Sequence, residues 1–143
     1  MRGKLLATAI SAMLAVSVVA SGCGGGSKAS DEIKIGVVSE MTGSNATYGT
    51  SVVNGMKLAL KEVNDKGGVN GKKVSIVVAD SKSEPAEAAN AMSKLVNQDK
   101  TPVVMGIFTS SSAIAAANVS ESAKVPFLAI GATNPKVTLD DKT

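Results

Sequence analysis

The sequence predicts a doubly wound parallel α/β sheet, and three observations carry that prediction. Four short apolar runs recur along the chain, at residues 33–38, 73–80, 102–108 and 125–131. Between them lie three stretches whose composition or apolar spacing suits a helix. The connections are short, so the order β-α-β-α-β-α-β favours right-handed parallel crossovers.

Each element has its own reason. IKIGVV (33–38) is a mostly apolar strand between polar flanks, and SEMTGSNATYG (39–49) is a loop. A helix follows over about 50–65, with Val52, Met56, Ala59, Leu60 and Val63 on one face. KGGVNGKK (66–73) stops it with glycines. In KVSIVVAD (73–80) the run Ile76, Val77, Val78 suits a strand covered on both faces. The second helix spans about 86–97, with a stripe of Ala88, Ala89, Met92, Leu95 and Val96. PVVMGIF (102–108) is the third strand. A third helix begins among Ser110 to Ser112 and runs to about Ala123, and VPFLAIG (125–131) is the fourth strand. No helix follows that strand, so the reading expects an incomplete first lobe.

The first 31 residues are not expected to belong to the lobe. Residues 1–22 read as a secretory signal. Arg2 and Lys4 form its charged start, an apolar stretch follows over 5–20, and Ala20, Ser21 and Gly22 are small. Cys23 comes next and is the only cysteine of the 143 residues, so no internal disulfide forms. Its setting resembles a bacterial lipobox, although Ala20 stands where a larger aliphatic is commoner. Lipid on Cys23 would hold the protein on a membrane surface without spanning it. GGGSKAS (24–30) is a flexible tether. The expected organisation is therefore signal 1–22, tether 23–31 and partial ligand-binding lobe 32–143.

Without Arg2 and Lys4, thirteen basic residues face twelve acidic ones, and the lysines are scattered. With few aromatics as well, nucleic acid is not an expected partner. Enzymatic chemistry is not expected either. The chain lacks histidine and a G-x-S-x-G elbow, and no G-x-G-x-x-G follows the first strand. Residues 66–73 have the wrong spacing for a phosphate loop. Glu40, Asp80 and Glu84 are read as solvated carboxylates, with no metal and no cofactor expected.

In an open α/β sheet, ligands sit beyond the carboxyl ends of the strands. Three segments qualify: 41–49, 109–112 and 131–133. The second holds Thr109, Ser110, Ser111 and Ser112 in a row at the start of a helix. A helix start offers free N–H groups and positive dipole, and hydroxyls add donors, so a carboxylate or phosphate fits without Arg or Lys. A single hydroxyl would suffice as a cap. Gly131, Ala132 and Thr133 either let a ligand approach the backbone or simply turn the chain before Pro135.

The ordered motifs M-T-G-x-x-A-x-Y-G (41–49), E-x-N-x-x-G-G-x-x-G (62–71), the Ser run and A-T-x-P (132–135) are specific in combination. With them, residues 33–138 resemble the substrate-binding proteins of branched-chain amino acid ABC transporters, of the type I periplasmic-binding fold. The resemblance implies two lobes closing on leucine, isoleucine, valine or a related amino acid. Ser110 and Thr133 would donate to its carboxylate. The Gly131 carbonyl, beside Ala132, would meet its ammonium group, and Tyr48, Phe108 and Thr109 would wall its side chain. It also implies an ABC permease as partner and an extracytoplasmic location. The second lobe, with the acidic partner of the ammonium, is expected to be missing. An amide or amino-acid sensor of the same fold, or a non-functional truncated fragment, are the rival readings.

Overall fold

The computed structural model of the chain describes residues 32–139. The expected signal, Cys23, the tether and the last four residues lie outside them. Four strands and three helices alternate: β1 (Glu32–Ser39), α1 (Ala46–Asp65), β2 (Lys73–Asp80), α2 (Pro85–Asn97), β3 (Val104–Gly106), α3 (Ser110–Ala123) and β4 (Phe127–Ala129). A 3-10 turn, Pro135–Val137, follows. The strands form one parallel sheet in the order β2-β1-β3-β4, as the doubly wound reading requires.

The core explains the layering. Val38 and Val104 of the sheet pack with Ala88, Met92, Leu95 and Val96 of α2 and with Ala113 and Ala116 of α3. Met92 and Leu95 are fully buried, each contributing about 1.5–3 kcal/mol of apolar transfer. Alanines on the facing surfaces let α2 and α3 approach closely. From β1 the chain steps outward through α1 to β2, then crosses back through α2 to β3. Right-handed crossovers in opposite directions put α1 on the other face of the sheet from α2 and α3.

Helix α1 departs from its expected form in two ways. It starts at Ala46, four residues early, so Tyr48 lies on its first turn instead of in a loop. Its buried residues are Gly49 and Val53, with Met56 and Leu60 half-buried along the same line, while Ala59 and Val63 are exposed. That line is completed by Asn64. Its side chain accepts from the Val74 N–H and donates to the Val74 carbonyl, both at 2.8 Å, fastening the helix to β2. Apolar spacing alone could not weigh a glycine and an asparagine as inward positions.

Strand β2 is the outer edge of the sheet, and Val78 is 36% exposed, so the expectation of cover on both faces fails there. The doubly covered strand is β1, whose residues Gly36–Ser39 are all buried. Strands β3 and β4 are shorter than expected. β3 ends because Gly106 (φ 123°) and Ile107 (φ 59°) turn out of the extended region.

Two glycines of α1 should respond oppositely to alanine. A Cβ on Gly49 would lie 2.1 Å from the Glu40 carbonyl oxygen, whereas one on Gly55 meets nothing within 4 Å. Gly49→Ala is expected to destabilise by about 1–3 kcal/mol. Gly55→Ala is expected to stabilise by about 0.5–1 kcal/mol through helix propensity. Urea unfolding midpoints check both signs.

Candidate functional site

The chain leaves β1 toward one side and β3 toward the other, so their carboxyl ends flank the topological switch point of the sheet. Three segments meet above it: 40–45 after β1, 107–110 after β3 and 130–134 after β4.

The first segment is held by the β2–α2 connection. Asp80 accepts from the N–H groups of Met41 (3.0 Å) and Thr42 (3.2 Å) and from the Thr42 hydroxyl (2.7 Å). It also accepts from Lys82 N–H at 2.8 Å. Ser83 donates its hydroxyl to the Thr42 carbonyl and accepts from Asn45 N–H. Burial pushes the Asp80 carboxyl up, but the Thr42 hydroxyl and the three N–H donors outweigh it and hold the group below its ordinary value of 3.8.

The second segment leads into the four hydroxyls at 109–112, and the structure assigns them different tasks. Thr109 donates both its N–H (3.1 Å) and its hydroxyl (3.0 Å) to Glu40 Oε1, so it faces the protein interior at that atom. Ser110 Oγ accepts from the N–H groups of Thr133 and Asn134, each at 3.3 Å. Ser111 is exposed, and Ser112 is buried with no partner for its hydroxyl among the described residues. None of the four caps α3 through its side chain, so the simple capping reading is not what this run does.

Glu40 was expected to be solvated, and that is corrected here: it is 0% exposed. Its carboxylate accepts from Phe108 N–H as well as from Thr109. The available signal was its place directly after a buried strand, at the start of the loop. Among the described residues no cluster of three or more His, Cys, Asp or Glu could hold a metal.

The third segment brings Gly131, Ala132 and Thr133 beside Ser110. Gly131 N–H donates to the Ile107 carbonyl (3.3 Å), and a Cβ there would fall 2.4 Å from the Phe108 ring. Glycine therefore makes room for Phe108. That ring stacks on Tyr48, with centroids 4.4 Å apart and planes 3° from parallel. Both rings are substantially exposed, Tyr48 at 53% and Phe108 at 38%. Thus Tyr48, Phe108, Ser110, Gly131, Ala132 and Thr133 converge, while the N–H and hydroxyl of Thr109 are engaged with Glu40.

Chemically, this is a set of hydrogen-bond donors beside an aromatic surface. The Ser110 oxygen uses its acceptor capacity on two N–H groups, which leaves its single hydrogen to donate. The start of α3 adds N–H groups and positive dipole.

A parallel α/β lobe with a polar cradle at its switch point is the architecture of the solute-binding proteins. The comparisons place the chain among them: residues 32–141 match the periplasmic binding protein family, and the chain belongs to that family. It is 36% identical over 137 residues to an amino acid binding protein of Pseudomonas aeruginosa, covering 96% of this chain and 34% of that protein. It is also 36% identical over 108 residues to the leucine-specific-binding protein of Salmonella typhimurium, covering 76% and 29%. Among solved structures it is similar to the branched-chain amino acid transporter substrate binding protein of Streptococcus pneumoniae in complex with isoleucine. That match has a TM-score of 0.72 and 42% identity, over 75% of this chain and 31% of the other. The chain spans about a third of the length of these relatives.

Asp80 generates a pH prediction. Because its folded value is lowered, its contribution is present above 3.8 and is lost as pH falls through the lowered value, the unfolded chain taking up the proton first. Asp80→Asn should lower the urea midpoint at neutral pH and flatten the fall in stability between about pH 5 and pH 2. A variant with the wild-type acid profile would exclude Asp80 as its source.

Proposed function

We propose that this chain provides the amino-acid-binding face of an extracytoplasmic solute receptor, which captures a branched-chain or related amino acid for an ABC importer and does no chemistry on it. The observation that carries the proposal is the Ser110 hydroxyl, set at the start of α3, with its oxygen satisfied by two backbone N–H groups and its hydrogen free to donate. A carboxylate held by neutral donors is bound reversibly, which transport requires. The named relatives support the substrate class: an amino acid binding protein, a leucine-specific-binding protein and an isoleucine complex.

In this reading Ser110 and Thr133 hold the carboxylate, and the Gly131 carbonyl beside Ala132 receives the ammonium group. Tyr48 and Phe108 form the apolar wall, with Thr109 at its edge. A companion lobe would exclude water and supply an acidic partner for the ammonium, so the segment alone binds weakly. Upstream, residues 1–22 direct export, Cys23 carries lipid and residues 23–31 tether the lobe to the membrane beside the permease.

Two measurements test this. In nitrogen-15 spectra of the chain titrated with L-leucine, residues 110, 111 and 133 should move, and in a complete two-lobed receptor Ser110→Ala should weaken binding by about 1–3 kcal/mol. Equal affinity of the variant would reject the role of Ser110. Separately, Cys23→Ser should shift the protein from the membrane fraction to the soluble fraction. Retention at the membrane would reject the lipid anchor.

A further inference from the structure

Glu40 makes none of the proposed ligand contacts, yet it is fully buried and its carboxylate is committed to the loop that makes them. The consecutive N–H groups of Phe108 and Thr109 converge on it at 3.1–3.2 Å, joined by the Thr109 hydroxyl at 3.0 Å. Consecutive N–H groups arranged this way form a concavity that takes an anion. Here the anion is the protein's own.

The residue before this concavity is strained. Ile107 is β-branched, fully buried and has φ 59°, in the left-handed region. Such a conformation is unfavourable for a β-branched residue and persists only where the surroundings over-determine it. Strand β1 and the residue just past its end hold this turn. The Val38 carbonyl accepts the Ile107 N–H at 2.9 Å, and Glu40, two residues further, takes the next two N–H groups. Out of this turn come the Phe108 ring, stacked on Tyr48, and the Ser110 hydroxyl, facing Thr133 and Asn134.

We propose that Glu40 is the positioning residue of the ligand loop. Its carboxylate fills the concavity from within and holds the strained turn. It thereby sets Phe108 and Ser110 in place, and it closes those two N–H groups to the ligand's own carboxylate. The consequence for affinity rests on the solute-capture reading; the positioning of the loop does not.

The chain itself supplies the probe. Tyr48 is its only tyrosine, so fluorotyrosine incorporation places fluorine solely on the stack, where its shift senses the Phe108 ring. Phe108→Leu gives the unstacked reference. In the full chain, Glu40→Leu should move the resonance at least halfway to that reference. Glu40→Gln, which keeps an acceptor oxygen, should stay near wild type. For L-leucine, Glu40→Leu should weaken binding at least about tenfold and Glu40→Gln by less than about threefold. A Glu40→Leu protein with intact helical circular dichroism and an unmoved fluorine shift overturns the proposal. Should that variant not fold, Thr109→Val removes only the hydroxyl bond: movement toward the reference supports the proposal, and an unmoved shift overturns it. If wild type gives no leucine response, the solute-capture reading fails, and the fluorine shift still decides the positioning of the loop.

Discussion

Parallel strands that end side by side send their chains off in different directions, and the first N–H groups of the outgoing loops lose their ladder partners. Buried N–H groups must be satisfied. In this lobe two carboxylates do much of that work. Asp80, at the end of the edge strand, takes the N–H groups of the loop leaving β1. Glu40, just past the end of β1, takes those of the loop leaving β3. Both are acceptor-only when ionised, so each can serve several donors at once. The loops above the switch point are therefore fixed to the sheet by charge-assisted hydrogen bonds.

This arrangement lets an irregular loop behave as a rigid one. The backbone at Ile107 would relax in a free peptide, but its side chain is sealed in the core, its N–H is held by β1 and the next two N–H groups are held by Glu40. Gly131 completes the fit by leaving room for the Phe108 ring. The aromatic pair and the Ser110 hydroxyl thus sit at defined positions. Preorganisation of this kind lowers the ordering cost of binding.

The same design separates charge from contact. The negative groups near the site are turned inward or consumed by backbone donors, and the surface offered at the start of α3 is neutral and donor-rich. Residues 32–141 match the periplasmic binding protein family, to which the chain belongs.

Much of the architecture was legible in the residues. Alternation of short apolar runs with helical segments determined the parallel sheet and its order of elements, because buried strands and amphipathic helices leave distinct periods. The Ser run and Gly131 after the fourth strand marked two of the three segments that meet above the switch point. What only the tertiary structure decided concerns partners that are distant in sequence. Ala59 had the right spacing, yet the inward line of α1 runs through Gly49, Val53 and Asn64, since a close approach to Glu40 and a bond to Val74 set it. Val78 had strand composition, but its exposure follows from β2 lying at an edge. Glu40 read as a surface carboxylate because burial of a charge depends on donors 68 and 69 residues away. Local pattern fixes which face of an element is apolar; only the assembled sheet brings a charge and its donors together.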